Sequence, residues 1–159
     1  MTRRSGDSIS SQSGSETIQW TTAIPFFLVH LMGLWAIQTG ISLEMVVLAI
    51  ASYYLRMLAI TAGYHRYFSH RSYKTGRVFQ FILAVLAMTS AQKGVLWWAA
   101  HHRHHHKHSD QEQDRHSPVQ RGFWYSHVGW LLTNEYDRTE FAVVKDLVKY
   151  PELRLLNRF

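Results

Sequence analysis

The sequence contains no cysteine and only three prolines among its 159 residues. Without cysteine the protein has neither disulfide bonds nor thiolate ligands, so any bound metal must be held by nitrogen and oxygen donors. Glycine-rich phosphate loops and the Gly-x-Ser-x-Gly turn are also missing, which argues against nucleotide binding and serine hydrolase chemistry. The net charge is +6 with histidine counted neutral. The basic residues do not form a stripe interleaved with aromatic residues, so no nucleic-acid partner is expected.

A polar tail precedes two long apolar blocks. Residues 1–19 are rich in serine and glycine, which predicts disorder, and the arginines in this tail favour the cytoplasmic side of a membrane. The apolar blocks lie at about 22–38 and 41–62, and each is long enough for a helix that spans a bilayer. The short break between them predicts a transmembrane hairpin, whose second helix returns to the cytoplasmic side.

The segments after the hairpin predict interfacial and soluble helices. Residues 78–98 predict one amphipathic helix at the membrane interface, with a re-entrant segment as the alternative. A further crossing would separate the histidines before this segment from those after it. Residues 140–149 predict one soluble helix that ends near Pro151. The expected fold over residues 20–159 is therefore all-α and membrane-integral, with one transmembrane helical hairpin followed by interfacial and soluble helices.

Histidine is concentrated in residues 101–108, where six of the eight residues carry an imidazole. Neutral imidazole is the commonest metal-ligand side chain. If the run is helical, His102, His105 and His106 have the spacing i, i+3 and i+4 and share one face. The alternative interpretation is a solvated basic loop. The run therefore predicts metal binding.

A second histidine pair follows the second apolar block. His65 and His70 are five residues apart, which on a continuous α-helix is a rotation of about 140°, so they cannot share a face. We therefore expect the helix to end between them and His70 to return from the following turn. Both histidine groups lie at the ends of apolar segments, and together they predict one polynuclear metal site.

These motifs resemble the histidine boxes of the membrane fatty acyl desaturases. The pattern His65-x4-His70 matches the first box, and His102-x-x-His105-His106 matches the second. The flanking segments that strengthen the resemblance are Gln92-Lys93-Gly94, Ser109-Asp110, Asp114-Arg115-His116-Ser117 and Ser126-His127-Val128-Gly129-Trp130. The resemblance is to the Δ9, stearoyl-CoA desaturase-like branch of the family.

The resemblance implies a non-haem di-iron centre with two Fe ions. Its implied ligands are His65, His70, His102, His105 and His106. Such an enzyme uses O2 to remove two hydrogens from a fatty acyl chain and leaves a cis double bond. Because no flavin or haem motif is present, the electrons are expected from a separate donor such as a cytochrome b5-like protein or a ferredoxin.

Residues around the boxes are candidates for supporting roles. Asp110 and Asp114 are candidates to accept an N–H from a ligating imidazole and so to set its tautomer, with solvated acidic residues as the alternative. Tyr64 and Trp98 are candidates to line a tunnel for the acyl substrate, with interfacial anchoring as the alternative. Animal acyl-CoA members carry an Arg-Asp pair before the second box, where this chain has Ala100-His101. The acyl carrier therefore stays open between CoA, a lipid and a carrier protein.

The chain departs from the family pattern in its second half. The family has a third histidine box after a further pair of membrane spans, and neither follows His127 in this sequence. The expectation is an N-terminal fragment that is inactive alone. Three other interpretations stay open: a membrane hydroxylase built on the same boxes, a membrane-anchored metal-binding protein without catalysis, and a membrane fragment with a structural role alone.

Overall fold

The computed structural model describes residues 17–158, so the predicted polar tail lies outside the described residues except for its last three positions. Here Ile18 forms a single antiparallel bridge with Thr133, and the Gln19 N–H donates to the Leu132 carbonyl at 2.7 Å. Apart from this bridge, the regular structure of residues 17–158 is helical, which confirms the all-α prediction. The elements in order are α1 (Trp20–Gln38), α2 (Leu43–Leu58) with a π-helical segment (Ala59–Ser69), α3 (Arg77–Met88), α4 (Val95–His108), α5 (Pro118–Arg121), α6 (Phe123–His127), two 3-10 turns (Gly129–Leu131 and Phe141–Val144), α7 (Lys145–Val148) and α8 (Pro151–Leu156).

The two predicted apolar helices are confirmed. α1, and α2 together with its π-helical segment, are long and apolar enough to cross a membrane by length and composition. Gly40, at φ +84°, makes the turn between them in a backbone region that favours glycine. The Ser42 side chain then caps α2 by accepting the N–H of Met45 at 3.3 Å. Within the described residues of α1 and α2, Ala23 alone is buried.

The helix ends at Ser69, between His65 and His70 as expected, but the expectation that these two histidines cannot share a face is wrong. The helix that begins as α2 continues without a break through Ser69, with π-helical geometry over its last eleven residues. The His70 N–H donates to the His65 carbonyl at 3.1 Å. Each π-helical hydrogen bond spans five residues instead of four, so residues five apart lie one above the other. The prediction failed because it applied the α-helical period to a segment with a wider turn.

The single helix predicted over residues 78–98 is also wrong, because the chain folds there into α3 and α4. The chain turns between them at residues 89–94, where Ala91 has φ +55°. The buried face of α3 has the i, i+3, i+4 and i+7 spacing of an amphipathic helix, at Gln80, Leu83, Ala84 and Ala87. The other face of α3 is apolar and exposed. Its location at a membrane interface stays a prediction.

The C-terminal segment packs against the start of α4. The Asn157 side-chain carbonyl accepts the Trp97 N–H at 2.8 Å and so satisfies one of the free donors in the first turn of α4. Gly94, just before this helix, lies so close to Asn157 that a Cβ would come within 2.5 Å of its Cα atom. Docking of the C-terminal segment therefore helps to define where α4 begins.

The helix predicted over residues 140–149 is replaced by a 3-10 turn and the short α7. Pro151 begins α8 instead of ending a helix, because proline suits the first turn, where its missing N–H costs no hydrogen bond. The hydrophobic core joins the π-helical segment, α3, α4 and this C-terminal segment. Its fully buried members include Tyr64, Phe68, Ala84, Leu96, Leu147 and Leu153.

Candidate metal centre

Four imidazoles from the two boxes converge where the π-helical segment meets α4. The Nε2 atom of His70 is 3.2 Å from that of His65 and 3.2 Å from that of His102. The Nε2 atoms of His102 and His106 are 3.0 Å apart. The candidate ligand atoms of all four residues lie within 4.8 Å of one another. The π turn aligns the first pair and the α-helical i, i+4 spacing aligns the second.

The chemistry of this four-histidine cluster fits a metal ion. Nitrogen donors around a tetrahedral ion with bonds of about 2.0–2.1 Å lie roughly 3.3 Å apart, close to the separations seen here. Burial, and then the neighbouring His106, lower the pKa of His102 to about 3. Burial, and then His65, also lower the pKa of His70. Neutral imidazoles whose lone pairs face one another repel, and a bound cation turns this repulsion into attraction.

His105, the fifth predicted ligand, lies outside this cluster and contacts the loop after α4. Its Nδ1 atom is 3.0 Å from a carboxylate oxygen of Asp114. Asp114 is buried and also accepts the backbone N–H groups of Asp110 and His116. Burial opposes ionisation of this carboxyl, but the hydrogen bonds from His105 and the two N–H groups outweigh it and lower its pKa. An ionised carboxylate can only accept, so Nδ1 carries the proton, and in the neutral imidazole Nε2 keeps a lone pair suited to a metal ion.

The geometry thus supports the role predicted for Asp114 but gives Asp110 a different one. Asp110 accepts the Ser117 hydroxyl at 2.8 Å and, at φ +59°, shapes the loop. His116 was missed as a neighbour of the site, although its ring lies 4.4 Å from that of His105. The Asp-x-His spacing at 114–116 was the signal in the sequence that pairs His116 with the acidic residue.

The two predicted tunnel residues both stand beside the cluster. The Trp98 ring stacks on the His102 ring with centroids 4.8 Å apart, and its indole N–H donates to Gln92 at 2.6 Å. Tyr64 is fully buried, its ring is 5.4 Å from that of Trp98, and its hydroxyl donates to the Lys93 carbonyl. Trp98 therefore forms a wall of the cluster, whereas Tyr64 belongs to the core that supports this wall.

The other histidines of the run face elsewhere. His101 is buried and stacked on Trp97, and burial lowers its pKa to about 4. His104 and His108 pair with each other, with ring centroids 4.6 Å apart. Within the described residues, none of the three joins a group of potential ligands.

A comparison with protein families shows to which family the chain belongs. The fatty acid desaturase family matches residues 41–151, a range that holds both boxes and the loop with Asp114. The chain belongs to the fatty acid desaturase family. All five predicted iron ligands of this desaturase chain therefore lie within the family's own domain.

Individual relatives agree with this membership. The chain is 35% identical to the acyl-CoA Delta(11) desaturase of Choristoneura rosaceana over 149 residues, which cover 89% of the chain and 44% of the relative. It is 32% identical to the sn-1 stearoyl-lipid 9-desaturase of Anabaena variabilis over 145 residues, or 89% of the chain and 53% of the relative. It is 36% identical to the hex-5-enoyl-(acyl-carrier protein) acetylenase of Moorena producens over 122 residues, or 70% of the chain and 38% of the relative. The chain spans about half the length of the curated relatives it matches.

Proposed function

We propose that this chain carries part of the iron site of an O2-dependent fatty acyl desaturase that introduces a cis double bond at Δ9. The convergence of four imidazoles, with His105 oriented by a buried carboxylate beside them, is the observation that carries the proposal. His65, His70, His102 and His106 would hold one ion, and His105 would contribute to a second. Two bound Fe ions would supply the O2 chemistry that removes hydrogen from the acyl chain, with electrons from a cytochrome b5-like or ferredoxin donor.

The residues of this chain would orient the acyl group. An open cleft of 530 Å³ lies between α2 and the turn at residues 89–94. Gln92 lines this cleft and binds Trp98, which in turn stacks on His102. The cleft is mostly apolar, which suits an acyl chain, and Arg56 lies on its wall. Its lining residues are Ala49, Ser52, Tyr53, Arg56, Met57, Ile60, Ser90 and Gln92.

We further propose that α1 and α2 span a membrane, with the N-terminus and both boxes on its cytoplasmic side. The exposed apolar surface of both helices supports membrane lipid as their surroundings. The start of α1 contacts the part of the chain that holds the boxes, because Gln19 hydrogen-bonds Leu132 and Asp137. This contact supports a hairpin in which the first end of α1 and the last turn of the π-helical segment share one side of the membrane.

The two histidine boxes do not indicate which carrier the acyl group is attached to. The names of the three relatives place the acyl group on CoA, on a lipid and on a carrier protein. At the position of the Arg-Asp pair, Ala100 and His101 are both buried, so this position offers no surface charge to a carrier. We propose a fatty acyl substrate attached to one of these three carriers.

The test is the substitution His102→Ala, which removes the imidazole that contacts both His70 and His106. We expect the affinity of the chain for Co2+ or Fe2+ to fall by more than about 100-fold, beyond the 10–100-fold typical of residues that only orient a ligand. The matched control is His30→Ala in α1, whose imidazole bonds the Phe26 carbonyl instead of another histidine. Calorimetric titration in lipid nanodiscs measures both variants.

Product analysis by mass spectrometry tests the proposed reaction. We expect loss of two hydrogens from the acyl chain, and no product from His102→Ala or His105→Ala. Gain of one oxygen would instead identify a hydroxylase. Metal binding without any product would leave a membrane metal-binding protein. Unchanged unsaturated product in both variants would overturn the proposal.

A further inference from the structure

Arg103 lies inside the second box but points away from the four-histidine cluster. Its guanidinium donates to the carbonyls of Phe68 and Ser69 at 2.8 and 3.0 Å, at the end of the π-helical segment. It also donates to the Val143 carbonyl at 3.0 Å and to both oxygens of Asp146 at 2.7 and 3.0 Å. Five donated hydrogen bonds use the full donor set of a guanidinium.

The two carbonyls that Arg103 binds belong to the last turn of the first box. Carbonyls at a helix end lack intrahelical partners and carry partial negative charge, so a cation there is stabilising. Ser69 directly precedes His70, and Arg103 directly follows His102. The Arg103 side chain therefore links the second box to the backbone of the first box. This link lies next to the 3.2 Å contact between His70 and His102.

Asp146 holds this arginine from a third part of the chain. It lies on α7 and forms a bidentate pair with Arg103. Its carboxylate is also 3.6 Å from Arg71, the residue after His70. One carboxylate thus contacts the arginine inside the second box and the arginine that directly follows the first box. The Arg103 side chain is 21% exposed.

We propose that Arg103, held by Asp146, is a positioning residue that keeps the first histidine box in register with the second. This positioning role rests on the proposed function, since the register of the two boxes matters only if their histidines bind the same metal site. Arg103 and Asp146 touch no potential metal ligand atom; they act through the backbone of Phe68 and Ser69 and through α4. Loss of the ion pair should leave each box helical but make the distance between the two boxes more variable.

The first test measures the register without metal. Because the chain has no cysteine, Arg66→Cys and Lys107→Cys place unique spin labels on exposed positions of the π-helical segment and α4. We expect pulsed electron paramagnetic resonance to show a broader or shifted distance distribution when Asp146→Asn is added. Asp146→Glu, which keeps the charge, should restore the original distribution.

The matched control is Glu152→Gln. It removes another bidentate pair with an arginine, that between Arg77 and Glu152, which joins α3 to α8 without contacting either box. We expect it to leave the distance distribution unchanged. If Asp146→Asn lowers the helical circular dichroism signal, Arg103→Lys gives the same test, because lysine keeps the charge but cannot bond both carbonyls at once. An unchanged distribution in the folded Asp146→Asn or Arg103→Lys protein overturns the proposal.

The second test measures Co2+ affinity of the unlabelled chain in nanodiscs. We expect Asp146→Asn to weaken binding by about 10–100-fold, as for other residues that orient a ligand indirectly, and Glu152→Gln to leave it unchanged. Equal affinities for wild type and Asp146→Asn would overturn the positioning role while leaving the proposed metal site intact. If the wild-type chain binds no Co2+, the proposed metal site fails, and the distance measurement still decides whether the pair sets the register.

Discussion

The apolar hairpin, residues 20–58, and the box region, residues 59–158, differ in how much of their apolar surface is buried. In the hairpin, large apolar side chains stay exposed, with Trp35 at 71% and Leu43 at 79%. In the box region, a hydrophobic core forms and polar groups are buried with it, among them Gln80 and Asp114. The hairpin therefore leaves its apolar surface uncovered by the rest of the described chain, whereas the box region covers much of its own.

Buried polar groups show the same contrast. In the box region Asp114 accepts three hydrogen bonds, and the side-chain oxygen of Gln80 accepts the Tyr67 hydroxyl at 2.9 Å while its Nε2 atom has no partner among the described residues. Such groups are costly to bury without partners. The hairpin needs few side-chain partners, since a helix satisfies its own backbone. The π-helical segment joins the two regions and belongs to both.

A charge in the middle of α1 should break this contrast most strongly. Val29→Lys places an ammonium on a residue that is 65% exposed on the hairpin, and Lys at the centre of a spanning helix costs about 2.5–3.5 kcal/mol of insertion free energy. We expect the inserted fraction to fall sharply in a glycosylation-based membrane insertion assay.

Val119→Lys on α5 is the control for this change. Val119 is 74% exposed in the box region, and an exposed surface substitution changes stability by at most about 0.5 kcal/mol. Equal insertion of the wild-type and Val29→Lys chains would show that the exposed surface of the hairpin does not face lipid.

Two glycine substitutions, one in each region, should have different effects on the melting temperature. Gly94→Ala in the box region would bring a Cβ within 2.5 Å of the Asn157 Cα atom, and overpacking against backbone costs about 1–3 kcal/mol. Gly33→Ala in α1 meets nothing within 4 Å, and alanine is favoured over glycine in a helix by up to about 1 kcal/mol. Thermal unfolding followed by circular dichroism should show a lower melting temperature for the first and an unchanged or higher one for the second. Shifts of the same sign would contradict the difference in packing.

The smallest expected effect concerns the ion pair of Arg77 and Glu152 at the edge of the box region. Hydrogen bonding from Arg77 lowers the pKa of Glu152 to about 2 from its ordinary value of 4.5. Stabilisation by this carboxylate is therefore present above pH 4.5 and is lost as the pH falls from there towards 2. Glu152→Gln should melt slightly below wild type at pH 7, because an exposed pair contributes little. The two melting temperatures should converge near pH 2, and a difference that persists there would exclude titration of Glu152 as its cause.

Features encoded by nearby residues were predictable. The two apolar helices follow from uninterrupted apolar runs, and the pairing of His102 with His106 follows from one turn of α-helix. The role of Asp114 was within reach because it lies nine residues from His105. The alignment of His65 with His70 on one face was not predicted, because the residue spacing does not reveal that the backbone widens into a π turn.

Contacts between segments that lie far apart in the chain could not be predicted from the sequence. Arg103 and Asp146 are 43 residues apart, and nothing in either neighbourhood indicates the other. The split of residues 78–98 into α3 and α4 likewise depends on Asn157, which caps α4 from the far end of the chain. A local pattern carries the preference of a segment, whereas docking of another segment decides where that preference ends.

The sequence by itself determined the chemistry of the site and the helical nature of the chain. Without cysteine, and with imidazoles spaced as two boxes, only nitrogen-rich ligation was open. The tertiary structure decided which histidines meet: four in one cluster, and His105 with Asp114 beside it. The physical reason is that ligand atoms converge only when the width of a helical turn and the packing of distant segments bring them together. Neither quantity can be read from residue spacing.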